Sequence, residues 1–199
     1  MTEATPCSAG KVDPNYYGQK TGEFLGVWTV HSLPRKGRGV RYVAIAFLIA
    51  VYMLTIDLRM KILGMFNATC YSFIEFFFTK FNFGYHYTTS AQWLVNLLYL
   101  PWMFTLAFPW VLHSVPLFTL TFPFQVWLLE IIQGYFLIWM FGHNVAWSYL
   151  PGKWTYFSGN VKLSMYHWWA VLGLFVVVGW PLWLSISNQL FAIVQLFIK

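Results

Sequence analysis

The chain has 199 residues, of which 59% are hydrophobic, 22% aromatic and 9% charged, against about 25% charged in an ordinary soluble domain. A soluble domain of this length still exposes about a third of the surface of its unfolded chain, so this composition excludes a soluble globular domain, a disordered segment and a disulfide-rich secreted module; the solvent is lipid. The net charge of +6 does not indicate nucleic acid, because Lys11, Lys20, Arg35, Lys36, Arg38 and Arg41 all precede the first long apolar run, where they read as a topology signal with affinity for anionic headgroups.

Residues 1–41 read as a polar, basic tail and residues 42–199 as a transmembrane helical domain. The tail holds no apolar stretch of signal-peptide type, so the first span is expected to serve as the insertion signal. A bilayer core of about 30 Å takes about 20 apolar residues in helical form, and the sequence predicts an all-α, polytopic bundle of about five spans, within a range of four to six, kinked by prolines. The first span is Tyr42 to Leu58, closed by Arg59 and Lys61. The second, Ile62 to Phe81, carries Asn67, Glu75 and Lys80 and is either a span or a re-entrant segment. The third, Gln92 to Leu112, contains Pro101 and Pro109; the fourth, Leu117 to Phe141, contains Pro123, Gln125, Glu130 and Gln133. The last, Tyr166 to Ile198, holds Pro181 and is either one long kinked helix or a span followed by an interfacial helix. The basic tail places the N-terminus in the cytoplasm by the positive-inside rule.

An ionisable side chain in hydrocarbon costs about 2.5 to 3.5 kcal/mol on insertion scales and is a functional candidate by default. Glu130, near the middle of the fourth run, shares a helical face with Gln133 and Gly134. Glu75 is the second such carboxyl, with pairing to Lys80 as its structural alternative. A carboxylic acid carrying its proton in a dry pocket is what a general acid needs to protonate an alkene, an epoxide or an allylic group. His143 and Asn144 directly follow the helix that bears Glu130, and a neutral histidine there suits a proton relay. The candidate catalytic set is therefore Glu130, Glu75 and His143. Trp127, Gln133, Tyr135, Trp139, Asn144 and Trp147 are the candidate substrate-binding residues. The segment from Trp147 through Tyr149, Trp154 and Tyr156 also reads as an interfacial aromatic belt around a Pro151-Gly152 turn. His31, His86, His113, His143 and His167 are scattered without a paired motif, and Cys7 and Cys70 form none, so neither a metal nor a cofactor is expected.

Glu130-x-x-x-Gly134-Tyr135, Ala146-Trp147-Ser148-Tyr149, Phe157-Ser158-Gly159-Asn160-Val161-Lys162-Leu163 and Trp169 with Gly173 together resemble a family of small multi-span membrane proteins labelled type IV ABC-transporter permeases. Ser148 stands where that family carries Asp. The size, helix count, intramembrane carboxylates and aromatic richness also resemble small integral-membrane terpene and lycopene cyclases. That resemblance implies proton-initiated cyclisation or isomerisation of an isoprenoid, with Glu130 as acid and aromatic faces stabilising cationic intermediates. The sequence thus supports a metal-free membrane enzyme acting on an apolar small molecule. A non-catalytic subunit with protein partners in a membrane complex, or a lipid or small-molecule carrier, are the other two classes that fit.

Overall fold

The computed structural model describes residues 37–83, 88–106, 114–149 and 152–198. The expectations for the tail before residue 37, for His31, His86 and His113, for the end of the third run with Pro109, and for Pro151 lie outside these residues. The described chain is an all-α bundle of five helices, α1 (Arg38–Thr55), α2 (Leu58–Phe83), α3 (Ser90–Leu106), α4 (Val115–Phe141) and α5 (Tyr166–Ile198), with one two-stranded antiparallel pair, β1 (Thr155–Tyr156) and β2 (Val161–Lys162). Four of the helices are long and apolar enough to cross a membrane, as befits a multi-pass membrane protein. The described 17 residues of α3 reach about 26 Å, a little under the hydrocarbon thickness.

Local chemistry sets the boundaries. Helix α1 begins at Arg38, before the tail boundary read from the sequence, after Gly37 in the left-handed region. It stops at Thr55 because Asp57 starts a new helix: its side chain accepts the Met60 amide at 2.9 Å, an N-cap for α2. Leu58, expected to end the first span, therefore opens the second. Lys61 reaches back to donate to the Met53 carbonyl at 2.9 Å, answering one of the last-turn acceptors of α1. Helix α2 is continuous through its polar residues. Asn67, Thr69 and Thr79 return their donors to the carbonyls of Leu63, Met65 and Phe76, so little polar surface is left to destabilise the span. Helix α4 opens on Ser114, whose hydroxyl caps the Leu117 amide. It closes on Gly142 at φ 87°, a conformation glycine adopts without steric cost. Of the two arrangements expected for the last run, the structure has the first in outline: α5 is one helix of 33 residues with Pro181 inside it.

Helices α2 and α3 pack antiparallel, as do α4 and α5, and α5 also lies antiparallel to α2. Small residues allow the close approaches that take the place of a hydrophobic driving force in lipid. A Cβ on Gly64 would lie 2.4 Å from Pro101 of α3, and one on Gly173 would lie 2.7 Å from Phe122 of α4. The central cluster of Leu63, Phe118, Phe122, Val126 and Val177 joins α2, α4 and α5. Helix α1 stands at the edge with Tyr52 as its buried residue, and its start is pinned to the end of α4, where Arg41 Nε donates to the Trp139 carbonyl at 3.0 Å.

Candidate functional site

Glu130 lies on the inward face of α4, 8% exposed. Past the cap at Gly142 the chain does not remain at the helix end but folds back along α4. Asn144 organises the return: its Oδ1 accepts the amides of Ala146 and Trp147 at 3.0 and 3.1 Å, and its Nδ2 donates to Asn160 Oδ1 at 2.9 Å. Trp147 Nε1 donates to the Asn160 carbonyl at 2.9 Å, and the Tyr149 amide donates to the Gly159 carbonyl at 2.8 Å. Thr89, just ahead of α3, donates its hydroxyl to the Ala146 carbonyl at 3.1 Å. Irregular backbone at membrane depth is tolerated where it is buried in protein and its polar groups are answered, and these bonds answer them. Two glycines make the docking possible. Gly159 sits at φ 83° in the β1–β2 turn, and a Cβ on Gly134 would lie 2.3 Å from the Asn160 side chain.

The fold-back delivers one contact of chemical weight. Tyr149 donates its hydroxyl to Glu130 Oε1 at 2.8 Å, while Glu130 Oε2 is buried with no partner among the described residues. Beside this pair lies a cavity of about 120 Å³ enclosed by α2, α3, α4, α5 and Trp147. Its polar wall includes Glu130 and Gln133 from α4, Gln92, Asn96 and Tyr99 from α3, and Asn67 and Tyr71 from α2. The remaining wall is largely apolar, with Val126, Leu172 and Trp169 among its members.

Of the residues singled out in the sequence, Glu130, Gln133 and Trp147 meet at this cavity. Glu75 is partly buried one turn beyond Tyr71 and accepts the Thr88 hydroxyl at 2.7 Å, off the cavity wall. His143 follows the α4 cap and is not among the residues that line the cavity. Asn144 shapes the loop that carries Trp147 and does not line the cavity. Trp127 stacks with Phe124 and Tyr166 on another face of α4. Tyr135 and Trp139 are exposed on the outside of the helix, Trp139 beneath the Arg41 guanidinium. The aromatic belt divides in two: Trp154 and Tyr156 are exposed as a belt requires, whereas Trp147 and Tyr149 turn inward. Tyr149, Tyr71, Gln92, Asn96 and Tyr99 are the site residues that sequence reasoning passed over. Gln92 and Asn96, four apart within an apolar run, share one helical face, and that spacing is the signal that marks them.

Among the described residues no three His, Cys, Asp or Glu side chains gather where they could hold a metal ion. Comparison with known family models, curated proteins and solved structures finds no match.

Proposed function

We propose that this protein is an integral membrane enzyme that isomerises an apolar lipid of isoprenoid type, with Glu130 as its general acid and Tyr149 holding the carboxyl in position. The observation that carries the reading is a buried carboxyl with one oxygen fixed by a phenol at 2.8 Å and the other unpartnered, at the wall of a cavity. Protonating one alkene carbon and losing a proton from the carbon beyond the cation returns the carboxyl to its starting form, so the cycle closes without oxidant, reductant or cofactor. Aromatic faces such as Trp147 and Trp169 at the wall favour a cation in a desolvated pocket by about 2 kcal/mol per contact. Isomerisation is preferred to polycyclisation on volume. A cavity of about 120 Å³ is near the size that takes one benzene ring, about 150 Å³; it holds one reacting unit, not a chain folded into several rings.

We propose that the N-terminus lies in the cytoplasm. Arg38, Arg41 and Lys80 lie toward the end of the bundle where α1 starts, against Asp57, Arg59 and Lys61 at the other, and cytoplasmic flanks carry the excess of basic residues.

Purified protein in lipid vesicles, given polyisoprenoid alkenes, tests the enzymatic reading. Glu130→Gln is expected to lower turnover by at least about a hundredfold, the lower range for loss of a positioned acid. Turnover equal to wild type would remove Glu130 as the acid, and no turnover by the wild-type protein would favour the non-catalytic subunit.

A further inference from the structure

The cavity wall is chemically uneven. Gln92, Asn96 and Glu130 are 8%, 5% and 8% exposed, and each carries a buried polar atom without a partner among the described residues: Gln92 Oε1, Asn96 Nδ2 and Glu130 Oε2. Trp169, from α5 on the same wall, adds an unpartnered Nε1. An unsatisfied buried donor or acceptor costs about 1 to 3 kcal/mol, and natural structures keep few of them. Here an acceptor, two donors and a carboxyl converge on one cavity, the signature of a ligand that both donates and accepts a hydrogen bond. The charge balance narrows the class. Among the described residues no lysine or arginine lines the cavity, so a phosphate there would be an unpaired anion in hydrocarbon beside a carboxyl, which desolvation forbids.

The cavity also has a mouth. Along the α2–α5 seam two aromatic pairs hold the helices together, Phe66 with Trp183 at 5.5 Å between ring centres and Phe78 with Trp168 at 5.3 Å. They stand about 18 Å apart along α2. Between them Ile74 of α2 and Phe175 of α5 line the cavity yet are 53% and 68% exposed to the lipid side. The cavity therefore reaches the surface of the bundle facing the membrane, not its ends.

We infer that the cavity binds an uncharged lipid with a single hydroxyl head on an apolar chain, the head held by Gln92, Asn96 and Trp169 beside Glu130 and the chain leaving into the bilayer between the two aromatic pairs past Ile74 and Phe175. This deepens the proposed function by naming the substrate class and rests on it only for the choice of cavity. A site built to hydrogen-bond an oxygen discriminates against the analogue that lacks it. The enclosed volume takes only the head and its nearest carbons, which is why a lateral opening is required.

Equilibrium binding of tritiated farnesol to the full chain in lipid nanodiscs tests it, with competition by squalene, which has no head, and by farnesyl diphosphate, which is charged. Saturable farnesol binding is expected, with both competitors at least about tenfold weaker, a difference worth about 1.4 kcal/mol. Asn96→Leu should weaken farnesol by about tenfold, and Phe175→Trp, which narrows the mouth, should slow association several-fold. Absence of saturable binding, competition by squalene or by farnesyl diphosphate as strong as by farnesol itself, or unchanged association in Phe175→Trp would overturn the proposal. The competition arm uses the wild-type chain and does not depend on any variant folding. Binding is read without turnover, so a Glu130→Gln protein that still binds farnesol separates failure of the acid role from failure of this site.

Discussion

Two hydrogen bonds of Tyr149 have different jobs. Its backbone amide, bonded to the Gly159 carbonyl at 2.8 Å, holds the fold-back in place; its hydroxyl, bonded to Glu130 at 2.8 Å, reaches the acid. Tyr149→Phe keeps the first and removes the second. The bond contributes about 1.5 to 3 kcal/mol once Glu130 has given up its proton and about 0.5 to 1.5 kcal/mol while the carboxyl is neutral, so turnover should fall about tenfold or more with a smaller loss in the thermal midpoint. Equal loss of both would make Tyr149 a packing residue. Asn160 is the converse case. Its side chain is fully buried, accepts from Asn144 and presses against Gly134, and Asn160→Ala leaves the Asn144 donor without its acceptor. A loss of about 1 to 3 kcal/mol is expected, read as a lowered midpoint in detergent, with Glu130 and Tyr149 chemically unchanged.

The helices and the fold-back differ in how far their sequences disclose them. A span must be about 20 apolar residues, and the five helices follow the five apolar runs because that length requirement is strict; the differences are at the ends, where a cap such as Asp57 outweighs hydropathy. Residues 142–165 have no period to read. Trp147 and Tyr149 carry the same composition as Trp154 and Tyr156, and only the tertiary bonds of Asn144 and Asn160 decide which pair turns inward. Glu130 and Gln133 are legible because polar residues in hydrocarbon are costly, whereas Tyr71 and Tyr99 are hidden among the many aromatics of a membrane chain. The docking of this element on α4 is set by Gly134. In Gly134→Ala the new Cβ would meet the Asn160 side chain at 2.3 Å, and the segment, not the helix, must give way. Helix content by far-ultraviolet circular dichroism should match wild type while turnover is lost; retained turnover would mean that Asn160 has another packing solution.

Across the whole molecule, the antiparallel order of the helices brings the start of α1, the end of α2, the start of α3 and the segment after α4 to one end of the bundle. The acid is reached from that end by protein and from the side by lipid. Helix α4 places Glu130 about 17 Å below its last residue, Phe141, and the fold-back fills that depth with Asn160 and Tyr149, leaving the α2–α5 seam as the exposed approach to the cavity. The proposed sidedness is testable independently of chemistry. In a chain with Cys7 and Cys70 replaced, Lys80→Cys and Arg59→Cys report the opposite ends of α2, and both positions are exposed. If the end where α1 starts is cytoplasmic, as proposed from its basic residues, a membrane-impermeant maleimide should label Lys80→Cys and spare Arg59→Cys in sealed inside-out vesicles. The reverse pattern would keep the fold and invert the orientation, and labelling of both without permeabilisation would contradict the crossing of α2 itself.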